Sequence, residues 1–390
     1  MTKDYQVCWR GFIGGTTGYD NASRGYLLGL DRLGIDVKIE PMCYGENIFT
    51  GGLDPKEESR LRELIDKPYA EDKKKILVYH AQPNGVDPVA ERERYDKVII
   101  LTVWETTKVP DSWIDNANAA DAIIIPSKQN EEALKDSGIA SPIYIVPHGS
   151  DCNAFKPENI PLSLTDARDK FTFLSVFQWQ HRKAPEILLK AFWEEFSRDD
   201  NVCLIVKTYW GSHVISKQES RHIMSQISDY KQRLGVSDSA PIYLSTSIFE
   251  DADLKGLYTT SDCFVLPTRG EGVGLPYMEA LSSGIPVIAT AWGGSMDFLN
   301  SKNSYLVDYQ LLPTDSRTTE GISPNFNQLF TPEMRWAEPD VGSLRRQMRW
   351  AYDNQELAKE MGEQGRKDME KISWGSSAVT FKSVIEEVLG

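Results

Sequence analysis

At 390 residues, with 41% hydrophobic and 26% charged residues, the chain has the composition of an ordinary globular protein of two or three domains. A formal net charge of −14 argues against a main affinity for nucleic-acid phosphates or an anionic membrane surface, so no nucleic-acid partner is expected. It leaves room for the one or two well-placed cations that a diphosphate needs.

No run of about 18 apolar residues reads as a membrane span. The start Met1-Thr2-Lys3-Asp4-Tyr5 lacks the apolar core of a signal peptide. Five cysteines, Cys8, Cys43, Cys152, Cys203 and Cys263, are scattered without metal-ligand spacing. These features predict a cytoplasmic protein with reduced thiols. A peripheral position at a membrane stays open, although no basic amphipathic helix is evident.

In chain order, strands are predicted over residues 5–12, 36–41, 76–80, 98–103, 122–125 and 143–146, with helices over 22–33, 57–65 and 129–136. Asp20 and Asn21 are the expected cap of the first of these helices. Residues 148–169 carry little apolar periodicity and two prolines, and read as an interdomain linker. The pattern then restarts. Strands are predicted over 171–177, 202–208, 242–245, 263–266 and 287–290, with helices over 184–196, 223–234, 254–260 and 276–283. Residues 308–337 read as a long loop, 345–361 as one helix and 377–388 as the last. Short buried strands alternating with helices indicate parallel sheets wound on both faces.

The most informative stretch is Thr268-Arg269-Gly270-Glu271-Gly272-Val273-Gly274-Leu275-Pro276-Tyr277-Met278-Glu279. A buried strand ending at Pro267 leads into a glycine turn, a helix closed by Gly284, and the next strand. Backbone N–H groups from Gly272 to Leu275, with the positive end of the helix dipole, suit a phosphate. Carboxylates at Glu271 and Glu279 can reach hydroxyls on either side of it. The competing interpretation of the two glutamates is a solvated helix face.

Glu271 to Glu279, with Pro267 before and Gly284-Ile285-Pro286-Val287 after, resembles the E-x7-E block of family 4 retaining glycosyltransferases. The run from Leu257 to Thr290 follows that family's pattern, and the likeness covers most of the chain, more weakly in its first half. The resemblance implies a GT-B fold: two Rossmann-like, doubly wound α/β domains facing across a cleft. An acceptor-side domain would span 1–165 and a donor domain 166–374, with a final helix, 375–390, crossing back to the first domain.

It also implies a donor site. Glu279 would accept hydrogen bonds from the ribose and Glu271 from the donor sugar. Lys183 matches the family's phosphate-binding lysine. Gln178 stands where an arginine is usual, and Arg182 is the candidate replacement. Gly14 and Gly15, in a turn that is not a G-x-G-x-x-G fingerprint, would lie against the diphosphate. Lys207 could approach the phosphates, and the backbone around Ile248 the nucleobase. Trp104 stands where many relatives have a histidine. It is followed by Glu105, and either Glu105 or His80 could orient the acceptor hydroxyl. Trp9, Phe12, Trp104 and Trp113 could stack on a sugar, although core packing is the commoner fate of such residues.

Asp251-Ala252-Asp253 reads as a helix cap rather than a metal site, so no metal or other cofactor is expected. The nucleotide sugar is a substrate, and the acceptor a sugar, glycoconjugate or lipid-linked molecule. A GT-B phosphorylase, a sugar-nucleotide epimerase and a non-catalytic sugar-nucleotide binder are the alternatives. The oligomeric state is not legible.

Overall fold

A computed structural model describes residues 4–43, 45, 47–50, 52–164, 167, 169–210, 217–247, 249–314 and 329–390. The first half contains β1 (Tyr5–Phe12), α1 (Gly18–Arg32), β2 (Asp36–Met42), α2 (Pro55–Asp66), β3 (Lys74–His80), α3 (Pro88–Glu91), β4 (Lys97–Leu101), α4 (Asp111–Ala119), β5 (Ala122–Ile125), α5 (Lys128–Asp136) and β6 (Ile143–Ile145). The second half contains β7 (Phe171–Gln178), α6 (Pro185–Glu195), β8 (Val202–Tyr209), α7 (Lys217–Leu234), β9 (Ile242–Ser245), α8 (Asp251–Thr259), β10 (Cys263–Leu266), α9 (Leu275–Ser282), β11 (Val287–Thr290), β12 (Ser304–Val307), β13 (Tyr309–Pro313), β14 (Arg335–Pro339), α10 (Val341–Asp353) and α11 (Gln355–Met369). The chain ends in α12 (Trp374–Leu389). Two compact units result: Met1–Gly149 with Ile372–Gly390, and Ser150–Lys371.

The first unit is a parallel six-stranded sheet in the order β2-β1-β3-β4-β5-β6. Alternation along each strand feeds two cores. Val7, Trp9, Ile76, Val78, Ile99 and Leu101 join one, while Cys8, Leu77, Tyr79, Val98 and Ile100 join the other. Helix α1 begins earlier than expected. A capping box between Thr17 and Asp20 starts it, so Asp20 lies in the first turn and is not the cap. Helix α12 lies against α1 over two glycines. A Cβ on Gly25 would fall 2.3 Å from the Trp374 ring, and one on Gly29 would fall 2.7 Å from the Ala378 Cβ. Trp9 and Trp113 are wholly buried and Trp104 is 3% exposed, so these rings pack the core and none is available to stack on a sugar.

The second unit is a parallel sheet in the order β12-β11-β10-β7-β8-β9. The chain runs outward from β7 to β9, then returns to place β10 on the other side of β7. The reversal makes the C-terminal ends of β7 and β10 a topological switch point, where doubly wound sheets bind ligands.

Several boundaries differ from expectation. The supposed linker belongs to the second unit from Ser150 onward. Ser150 Oγ donates to the Met369 carbonyl at 2.8 Å, Leu162 N–H to Gly256 at 3.0 Å, and Arg366 to the Cys152 and Phe155 carbonyls at 3.2 Å each. The supposed loop over 308–337 contains an antiparallel pair, β13 and β14. Every residue of β13 is exposed, so no burial alternation marks it as a strand. The supposed helix over 345–361 is two helices, broken at Asn354, whose φ and ψ are −123° and 53°. Asp251 and Asp253 do not cap α8. Glu250 is the cap residue, without a side-chain bond, and Asp251 pairs with Lys255 in the first turn. Among the described residues, no helix is long and apolar enough to cross a membrane.

Candidate active site

Both halves of the second unit's switch point are tight turns. After β7, His181–Lys183 form a single 3-10 turn, and Ala184 closes it in the left-handed region at φ 52°. That conformation costs an alanine about 1–2 kcal/mol and persists only where the surroundings impose it. Pro185 then opens α6 with its preset φ. After β10, Thr268 to Gly274 form the loop that enters α9.

Hydrogen bonds join these turns. Arg269 N–H and Thr268 Oγ1 both donate to the Arg182 carbonyl, at 2.8 and 3.0 Å. Arg182 Nη1 donates to the Gly270 carbonyl at 2.5 Å. Glu271 is 6% exposed and Lys183 9%. The Lys183 ammonium donates to one Glu271 oxygen, and Arg182 Nη1 stands 3.7 Å from the other. Burial opposes charge on Glu271, but Lys183 and then Arg182 outweigh it and hold the carboxyl below its ordinary pKa. The Glu271 carbonyl accepts from Gly294 N–H at 2.8 Å, where Gly293 has φ 99° and a Cβ would sit 2.9 Å from that oxygen. Two cations against one carboxylate leave a positive centre at the switch point.

Helix α9 adds to it. Gly274 precedes the helix at φ 92°, and a Cβ there would meet the Tyr277 ring at 2.5 Å. The cap has no side-chain hydrogen bond, and the first N–H groups of any helix have no partner within it. Leu275 and the residues after it therefore open a helix whose first N–H groups suit an anion.

Glu279 lies further along α9, in a different setting. Tyr258 Oη donates to its Oε2 at 2.6 Å, and burial raises its pKa to about 7. The two glutamates of the motif thus differ: one is held ionised by cations, the other shares a hydrogen bond with a phenol.

Lys207 sits near the end of β8. Its ammonium lies 5.3 Å from the Phe249 ring centroid, and burial lowers its pKa. Among the described residues it makes no ion pair with Glu271. Ile248 lies outside the described residues. A cavity of ≈ 470 Å³ adjoins the β7 turn, with Trp179, His181, Glu186, Trp210, Tyr230 and Arg233 among its lining. Among the described residues, no cluster of three or more His, Cys, Asp or Glu side chains could hold a metal ion.

The remaining candidates belong to the first unit. Its own switch point lies between β1 and β3, where the Gly14 and Gly15 turn and His80 are found. Gly14 allows close approach to Ile48, whose carbonyl oxygen would sit 2.0 Å from a Cβ. The Gly15 N–H is already donated to Asp20 at 2.8 Å. His80 is 2% exposed, and its Nδ1 is 2.7 Å from Ser23 Oγ. Burial, and secondarily His148, hold it well below the usual histidine pKa, so it is a neutral imidazole. The Trp104 indole N–H is shared between Thr106 Oγ1 and the Lys108 carbonyl, each at 2.7 Å, with its ring edge-on to Trp113. Glu105 is partly exposed.

Reasoning from the sequence missed Tyr258 and Arg269. Tyr258 falls on the buried face of α8 and looks like any core aromatic. Arg269 was adjacent to the motif, and a cation flanked by a strand-ending Pro267 and a glycine was the one signal available.

Residues 168–315 match the family model for glycosyl transferases group 1. The matched residues lie within the second unit. Among related proteins, mannosylfructose-phosphate synthase of Agrobacterium fabrum is 27% identical over 177 residues, which is 43% of this chain and 36% of that protein. The chain therefore spans little more than a third of that relative's length. Among solved structures, sucrose-phosphate synthase from Thermosynechococcus elongatus superposes with a TM-score of 0.68 at 16% identity, covering 98% of this chain and 99% of the other. The Anabaena protein HepE in complex with UDP-glucose gives 0.64 at 13% identity, with 98% and 99% covered. At these identities the likeness concerns the fold, two Rossmann-like α/β domains of the GT-B type.

Proposed function

We propose that the chain is a retaining glycosyltransferase of the family 4 type, transferring a sugar from a nucleoside-diphosphate sugar to an acceptor hydroxyl. The observation that carries this is the Arg182–Lys183–Glu271 cluster beside the N-terminus of α9, at the switch point of the second unit. Breaking the anomeric bond puts negative charge on the departing diphosphate. Lys183, Arg182 and the N–H groups from Gly272 to Leu275 are preorganised cations and dipoles suited to that charge. The Lys183 ammonium has three protons, so it can keep Glu271 on one and donate another to a phosphate oxygen. Glu271 then both aims Lys183 and accepts from donor sugar hydroxyls. Glu279 accepts from the ribose, with Tyr258 holding its second oxygen.

The leaving diphosphate takes the acceptor proton, and no separate general base is assigned. His80 and Glu105 are proposed to orient the acceptor, and Gly14, Gly15 and Lys207 to lie near the donor phosphates. The acceptor is a sugar, glycoconjugate or lipid-linked hydroxyl, and the protein acts in the cytoplasm or at a membrane surface. Catalysis is metal-independent on this proposal, so transfer should persist in excess chelator. Loss restored by magnesium or manganese would refute that point.

The deciding experiment is a thermal-shift screen against UDP-, GDP-, ADP- and dTDP-sugars, because a bound donor raises stability by mass action. Proton NMR of the product from the stabilising donor then reports the anomeric configuration. No shift with any donor would sink the proposal. An inverted anomer would remove retention alone.

A further inference from the structure

Arg269 is 1% exposed, among the most buried large side chains of the protein. Every edge of its guanidinium is engaged. Nε and Nη2 donate to the two Glu338 oxygens at 2.5 and 3.0 Å, a bidentate fork. Nη2 also reaches Glu186 Oε1 at 2.6 Å, and Nη1 donates to the His181 carbonyl at 2.5 Å. The backbone continues the pattern. Arg269 N–H donates to the Arg182 carbonyl at 2.8 Å, and Ala337 N–H donates to the Arg269 carbonyl at 2.9 Å. One residue therefore ties together the turn after β7, the loop after β10 and strand β14. Burial alone would lower its pKa, but Glu338 and Glu186 more than compensate, so the group is held charged.

We infer that Arg269 is a positioning residue that locks the His181–Lys183 turn onto the Glu271 loop and so sets where Arg182 and Lys183 present their charge. The inference rests on the donor-site reading above. Among the described residues the polar partners of the Arg269 side chain are Glu338, Glu186 and His181 and do not include Glu271, so its effect passes through its neighbours. The acceptors it holds, on His181 and Glu186, lie on either side of Arg182 and Lys183 in the chain. A lysine at this position would keep the charge but not the fork. One ammonium cannot satisfy a bidentate carboxylate, a second carboxylate and a carbonyl from a single point. The substitution would release the turn while leaving β7, β10 and α9 in place.

The test is a double-mutant cycle of Arg269→Lys and Lys183→Ala, read by calorimetric affinity. The probe is whichever of UDP, GDP, ADP or dTDP the wild-type protein binds, with its parent nucleoside as control. Arg269→Lys should weaken the diphosphate by about 10-fold, the scale of one charge-assisted hydrogen bond, and leave the nucleoside unchanged. In the Lys183→Ala background it should weaken the diphosphate by less than about 3-fold, because residues acting through one another are not additive.

Equal losses for nucleoside and diphosphate, or the full factor in both backgrounds, would overturn the inference and leave Arg269 a structural residue. A Lys183→Ala variant with unaltered diphosphate affinity would instead refute the donor-site reading. Failure of all four nucleotides to bind would remove both. If Arg269→Lys melts below the assay temperature, Glu338→Gln takes its place. It keeps the guanidinium and loosens one anchor, with the same diphosphate-selective loss expected and the same criteria for rejection.

Discussion

Glu279→Gln isolates the part of the site whose charge depends on pH. Burial raises this carboxyl from 4.5 to about 7, with Tyr258 Oη at 2.6 Å partly offsetting the rise. A folded-state pKa above the unfolded value means that the protonated form is favoured by folding. The stabilisation is full below 4.5 and is lost as pH climbs from there to about 7. Above that, ionised Glu279 is a liability of at most about 3 kcal/mol, taking about 1.4 kcal/mol per pKa unit and remembering that the residue is partly exposed. Glutamine keeps an acceptor for Tyr258 and never ionises. The variant should therefore be more stable than wild type at pH 8, and the advantage should vanish near pH 4.

Binding runs the other way. On the proposal that ribose hydroxyls donate to the carboxylate, wild-type affinity for a nucleoside should rise with pH and level off above about 7. Two pH units below that point it should be weaker by up to about 100-fold. Using the nucleoside rather than the diphosphate keeps phosphate titration out of the profile. Calorimetry in buffers of different ionisation enthalpy counts the proton released at pH 6. Tyr258→Phe removes a hydrogen bond that lowers the Glu279 pKa, so its midpoint should move upward. A flat wild-type profile, or one that survives in Glu279→Gln, would refute the assignment of Glu279 to the ribose.

Two further outcomes are expected. Lys183→Ala should lower turnover by about 100-fold or more at saturating donor, since the lysine is proposed to act on charge that develops in the transition state. Wild-type turnover would shift the phosphate role to Arg182. Gly29→Ala should destabilise the first unit by about 1–3 kcal/mol in urea unfolding, since its Cβ would sit 2.7 Å from the Ala378 Cβ and force α12 off α1. An unchanged midpoint would mean that the helix pair repacks without strain.

Short-range pattern was enough for the parallel strands and the glycine loops. Strands over 122–125, 242–245, 263–266 and 287–290 appear with the bounds their apolar runs and flanking turn residues suggest. The Glu271 loop was legible for the same reason, because strand, glycine turn and helix are contiguous in the chain. Where burial does not alternate, as along the exposed β13, local pattern had nothing to report. Nor could it distinguish Trp9 and Trp113 as core rings from rings open to a sugar, since burial is decided by neighbours from other elements.

The chemistry of the site was decided at longer range. Lys183 and Glu271 are separated by 88 positions, Arg269 and Glu338 by 69, and Tyr258 and Glu279 by 21. Glu279 titrates near 7 while Glu271 stays ionised, although both are glutamates of one motif. The first pairing follows from strand order: β10 returns to lie beside β7, so the turns at their C-terminal ends become neighbours. Strand order comes from how whole strands and helices bury their apolar faces together, and no local run of residues encodes which strand will be the neighbour. The sequence alone therefore supplied the identity of the charged groups, and tertiary packing supplied their partners, their pKa values and the direction of their charge.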